Sequence, residues 1–107
     1  MKAPDRIFIH GTEWSVEYIV IEGQGETYFE DQIIYINPKY PERYQKVTLV
    51  HEIMHVLLHQ KNSYLPETFK HVDDNDLREH LIINTFDWPL YEVLESNPIL
   101  RGWLWNE

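Results

Sequence analysis

The rest of the chain is organised around Val47-Thr48-Leu49-Val50-His51-Glu52-Ile53-Met54-His55-Val56-Leu57-Leu58-His59. No Gly or Pro interrupts it, and Val47, Val50, Met54, Leu57 and Leu58 recur at helical spacing. It predicts an amphipathic helix. Within it, His51-Glu52-Ile53-Met54-His55 has the form H-E-x-x-H. Residues four apart on a helix lie one turn above each other on the same face. His51 and His55 can therefore present two imidazole nitrogens to one metal ion. Glu52 follows the first of them and lies beside that face, within reach of a metal-bound water. Zinc lowers the pKa of such a water toward neutrality, and a carboxylate can take the proton. The plainer alternative is a buried helix whose histidines only hydrogen-bond, and it leaves the spacing of all three polar residues unexplained.

Composition narrows the remaining choices. A chain of 107 residues suits one domain, residues 1–107, with one modest core. The net charge of −9 argues against nucleic acid and against an anionic membrane surface as partners. It tilts a peptide substrate toward neutral or basic segments. There is no cysteine, so neither a disulfide framework nor a thiolate metal site can form. Met1-Lys2-Ala3-Pro4-Asp5 lacks the apolar stretch of a signal peptide. No run of about 18 apolar residues exists to span a bilayer. A cytoplasmic location is the expectation.

Outward from the helix, short β-like runs precede it. Arg6–His10 is one, followed by a turn at Gly11-Thr12. Trp14–Ile21 alternates, with Trp14, Val16, Tyr18 and Val20 on one face and Ser15 and Glu17 on the other; its second half looks buried on both faces. Gly23-Gln24-Gly25 predicts a loop, and Tyr28–Asp31 a bulged strand with a turn at Glu30-Asp31. Gln32–Asn37 is a further strand, stopped by Asn37-Pro38. The helix is expected from about Pro41 to Gln60, with a connection over 61–73. A second long helix begins near Asp74 to Asp76. The acidic cluster Asp73, Asp74 and Asp76 fits helix capping; as a calcium loop it lacks the required Gly and terminal Glu. Leu77, Leu81, Ile82, Ile83, Phe86, Leu90, Val93 and Leu94 form its apolar face. Trp88-Pro89 is a site for a kink, Asn97-Pro98 ends the helix, and Ile99–Trp105 reads as a last helical turn on the core. The fold class is α+β: a small twisted sheet packed on the H-E-x-x-H helix, followed by a second long helix.

This order of elements resembles the small gluzincin-like metallopeptidases of phages and mobile elements, relatives of the ImmA/IrrE family. Asp31–Asn37, Thr48–His59 and Leu90–Pro98 carry the likeness, which spans roughly residues 26–98. The resemblance implies a minimal zincin fold in which the second helix supplies a third zinc ligand. The family usually has a Glu there, in a pattern like E-x-x-A-N-x-F. This chain departs from it. Aligned through Ile83-Asn84, Phe86 and Leu90, the ligand position falls on His80, with Glu79 beside it. Register points to His80 and residue type to Glu79, and register is given the greater weight. Successive helical residues are about 100° apart, so one of the two faces the metal.

The same geometry bears on the other polar residues. His59 lies a further turn, about 6 Å, along the axis, and a straight helix cannot wrap three such histidines around one ion. A surface or supporting role fits it better. His10 and His71 have no partner by spacing. Tyr35, Tyr64, Tyr91 and His71 are candidates for stabilising an oxyanion, each more simply explained by packing or solvent. The strand Gln32–Asn37 offers an edge to which an extended peptide could add. The expectation is a zinc-dependent metalloendopeptidase acting on a peptide or protein substrate. His51, His55 and His80 or Glu79 hold Zn²⁺, and Glu52 activates the zinc-bound water. The alternative is a catalytically silent, zinc-stabilised binding or regulatory module on the same fold. Oligomeric state is not legible.

Overall fold

Alternation of apolar and polar residues builds the sheet. The computed structural model describes the backbone of residues 2–61 and 75–106, and the side chains of residues 2–60 and 86–106. Its strands are β1 (Arg6–Ile9), β2 (Thr12–Tyr18), β3 (Gly25–Tyr28) and β4 (Ile33–Ile36). The helices are α1 (Glu42–Lys61), α2 (Asn75–Ser96) and α3 (Pro98–Trp105). The strand order is β1-β2-β4-β3. β1 and β2 form an antiparallel hairpin, β2 and β4 are parallel, and β3 and β4 are antiparallel. This is the α+β architecture expected: a four-stranded mixed sheet, the H-E-x-x-H helix and further helices.

One face of the sheet is covered. Ile7 and Ile9, Trp14 and Val16, and Ile34 and Ile36 are buried on alternate positions of three strands. Leu49, Ile53, Val56 and Leu57 of α1 join the same core, as do Val93 of α2 and Leu100 and Trp103 of α3. The C-terminal stretch is thus a full eight-residue helix that contributes to the core. Among the described residues no helix is long and apolar enough to cross a membrane.

Several sequence expectations shift. The first turn is His10-Gly11, both at positive φ (51° and 77°), and Thr12 already belongs to β2. Two residues at positive φ match the right-handed twist of a tight hairpin. β2 stops at Tyr18, and Val20, expected inside, is 61% exposed. Gly25 opens a strand instead of closing a loop, and the turn after β3 occupies residues 29–32 with Gln32 at φ 55°. β4 lies between β2 and β3, so the Gln32–Asn37 stretch has no free edge. Pro89 sits inside α2, and Asn97-Pro98 separates α2 from α3.

The buried stripe of α1 also differs from the expected one. Val47 is 66% exposed and Leu58 is exposed, whereas Leu49, Glu52, Ile53 and Val56 are buried. These occupy i, i+3, i+4 and i+7, a single helical face. Apolar residues surround this helix, so their periodicity alone does not select a face. The sheet selects it, and so turns Glu52 inward while His51 and His55 stay exposed.

Candidate metal centre

The two histidines of α1 converge. Their Nε2 atoms lie 3.0 Å apart, with the rings at 84°. Two nitrogens bound tetrahedrally at about 2.0–2.1 Å would stand roughly 3.3 Å apart. As free imidazoles in contact, one must carry a hydrogen toward the other's lone pair. The donor set therefore fits a cation. Among the described residues His51, Glu52 and His55 form a group whose ligand atoms all lie within 4.8 Å of one another.

Glu52 differs from its neighbours. It is 5% exposed, and its Oε1 accepts a 2.7 Å hydrogen bond from the Thr27 hydroxyl on β3. Its Oε2 lies 3.9 Å from His51 Nε2. A buried carboxylate needs such partners, because leaving it unsatisfied carries a large desolvation cost.

β3 reaches this side chain through close approach. A Cβ on Gly25 would lie 2.5 Å from Thr48 Cγ2, 3.2 Å from the Tyr35 carbonyl and 3.3 Å from Glu52 Cγ. Only glycine lets the strand come this near to α1. A reciprocal contact runs the other way: the Thr48 hydroxyl donates to Gln24 Oε1 at 3.1 Å. The loop leading into β3 is itself held by buried Asn37. Its Nδ2 donates to the carbonyls of Ile21 (2.8 Å) and Gly23 (3.0 Å), and its backbone N–H donates to the Gln24 carbonyl. Gln24, Gly25, Thr48, His51 and Glu52 line a cleft of about 290 Å³ together with Val47.

Thr27, Gly25, Gln24 and Asn37 were missed as site residues from sequence. The available signal was weak: in Gly25-Glu26-Thr27-Tyr28, small residues alternate with large ones, and the small ones face the helix. The other sequence candidates lie elsewhere. His59 stacks on Phe29, ring centroids 4.1 Å apart, on the wall of a second cleft at the far end of β3. His10 is not alone, since its Nε2 lies 3.8 Å from a Glu92 carboxylate oxygen. Tyr35 packs edge-on against Tyr28 on the sheet face away from the core. Tyr91 is exposed beside Trp88, and a hydrogen bond with Glu95 raises its pKa. Glu79 and His80 fall on α2, but their side chains lie outside the described residues, as do Tyr64 and His71 altogether.

Comparison with known proteins adds one finding. No curated protein and no solved structure matches the chain. The family model Peptidase_M78, described as IrrE N-terminal-like domain, matches residues 16–86. The matched region runs from β2 into α2 and contains His51, Glu52, His55, Glu79 and His80. It starts earlier than the likeness seen in the sequence, and it excludes Leu90–Pro98. A match over this much of the chain, carrying the converged histidines and the buried glutamate, places it in the IrrE N-terminal-like domain family, the ImmA/IrrE metallopeptidase relatives.

Proposed function

We propose that this chain is a zinc-dependent metalloendopeptidase that hydrolyses a peptide bond in a protein substrate. His51 and His55 would hold the ion, with His80 or Glu79 of α2 as third ligand. Zinc, when bound, supplies a Lewis acid that acidifies water and polarises the scissile carbonyl. Glu52 Oε2 accepts the proton of the attacking water and delivers it to the leaving amine. The substrate is an extended peptide pairing with the outer edge of β3, the edge strand that carries Thr27 against Glu52. The observation that carries this reading is Glu52: a buried, hydrogen-bonded carboxylate beside two convergent imidazoles is costly, and a purely structural ion site has no use for it.

The test is Glu52→Gln, with zinc content and hydrolysis of peptide libraries measured side by side. Zinc should be retained and turnover should fall by roughly 10²–10⁴-fold, the usual worth of a general base. Full activity in the variant would sink the mechanism. The second reading, a zinc-stabilised binding module without turnover, draws on the exposure of His51 and His55 and the small cleft. X-ray absorption on the zinc-loaded chain separates the two. Four protein ligands would favour the module, because structural sites are closed; three with an oxygen from water would favour the enzyme.

A further inference from the structure

We propose that Thr27 is a positioning residue that keeps Glu52 a base by preventing it from becoming a metal ligand. This inference rests on the metallopeptidase reading above. The physical problem is local. Glu52 is adjacent in sequence to His51, and its Oε2 is 3.9 Å from His51 Nε2. One of its oxygens belongs to the same 4.8 Å group as the two imidazole nitrogens. A carboxylate is a competent zinc ligand, as good as the residue expected from α2. A rotation about the side-chain torsions would therefore turn the base into a ligand. A site closed in this way has no free carboxylate for proton transfer.

Two features of β3 oppose that rotation. The Thr27 hydroxyl donates to Oε1 at 2.7 Å, a charge-assisted bond on the side of the carboxylate facing the sheet. It occupies one oxygen and leaves Oε2 toward the histidines. Gly25 then lets β3 sit close enough to α1 for this bond to form, with Glu52 Cγ 3.3 Å from where a Cβ would stand. Thr27 and Gly25 share the strand face turned to the helix. The sheet thus supplies the tether, and α1 supplies both the ligands and the base.

Cobalt(II) is the probe, because its visible absorption bands change when a water ligand is replaced by a carboxylate. The spectra of the cobalt-loaded wild type, Thr27→Val, Thr27→Ser, Glu52→Gln and Thr27→Val/Glu52→Gln would be compared, with zinc affinity measured by competition with a chromophoric chelator. Thr27→Val keeps the side-chain shape and removes the donor. It should shift the cobalt spectrum and raise zinc affinity, by roughly 10-fold or more given what supporting partners of a metal site are worth. Thr27→Ser restores a hydroxyl and should give the wild-type spectrum. The double variant should also return toward the wild-type spectrum, because glutamine is a poor ligand. A merely structural role for Thr27 predicts the opposite sign, a lower affinity, and no dependence on Glu52. A Thr27→Val spectrum and affinity equal to wild type, or an effect that persists in the Glu52→Gln background, would overturn the proposal and leave the metallopeptidase reading standing. If the wild type bound neither cobalt nor zinc, both would fall.

Discussion

The two edge strands of the sheet are handled in opposite ways. On β1 the outward N–H and C=O of Phe8 are both taken by one side chain. Asn97 Oδ1 accepts from the Phe8 N–H at 2.8 Å, and Asn97 Nδ2 donates to the Phe8 carbonyl at 2.8 Å. The same Nδ2 also donates to the Val93 carbonyl at 2.7 Å. A buried asparagine between α2 and α3 thus stands in for a further strand and seals that edge. On β3, among the described residues, no strand pairs with the outer edge. Its contacts go sideways instead, from Thr27 to Glu52 and from Gly25 to Thr48. Unpaired edges invite other chains, and proteins ordinarily cover them. The edge without a paired strand among the described residues is the one that touches the candidate base, so one edge serves stability and the other serves the site.

Substitutions on the two edges should therefore dissociate. The largest effect is expected from Gly25→Val, which drives a branched side chain into Thr48 and Glu52 and pushes β3 off α1. Overpacking of this kind costs about 1–3 kcal/mol. Hydrolysis should fall more steeply than stability, because the Thr27–Glu52 bond is broken with it. Chemical unfolding and peptide hydrolysis on the same sample would check this. Gly25→Ala combined with Thr48→Ser, which removes the methyl 2.5 Å away and keeps the hydroxyl, should recover most of the loss.

Asn97→Ala acts on the β1 edge instead. It removes the amide that bonds the half-buried N–H and carbonyl of Phe8 and the buried Val93 carbonyl, at about 1–3 kcal/mol for a buried group left unsatisfied. The urea midpoint should drop while the zinc affinity of the folded chain stays at the wild-type value. A matching loss of zinc affinity would mean that the two edges are mechanically coupled.

The smallest effect concerns pH. Tyr18, at the end of β2, donates its hydroxyl to the Pro4 carbonyl at 2.9 Å and packs edge-on to Trp103. Burial, and then the nearby Asp5 carboxylate, push its pKa well above the usual value. A pKa raised by folding contributes stability that is complete below the unfolded value, about 10, and is lost as pH rises past it toward the folded value. Melting temperatures at pH about 9 and about 11 should therefore differ less in Tyr18→Phe than in the wild type. An equal drop in both would remove Tyr18 from the alkaline response.

The chain also repeats a signal with different meanings. Asn37-Pro38 and Asn97-Pro98 both read as stops, and each does end an element. Yet both asparagines are buried and bonded, one to the loop that delivers Gln24 and Gly25 to the site and the other to the far edge of the sheet. Proline accounts for the stop, since it removes an N–H and fixes φ. Nothing local tells which backbone groups the amide will meet, because those partners lie up to 89 residues away in sequence.

What the sequence determined by itself is what rests on short-range geometry. The four-residue spacing of His51 and His55 puts both side chains on one face of the helix, where their nitrogens can meet, and the alternation of β2 fixes which of its side chains point inward. The span of α1 followed from an uninterrupted run after Pro41, and the end of α2 from Asn97-Pro98. The tertiary structure decided which face of α1 was buried, because apolar residues are spread around that helix and only the sheet breaks the symmetry. It decided that β4 is interior and β3 the outer strand, since strand order depends on long-range pairing that no local pattern encodes. It thereby gave Glu52 its burial and its Thr27 partner, 25 residues distant, which is where the motif's spacing becomes a site.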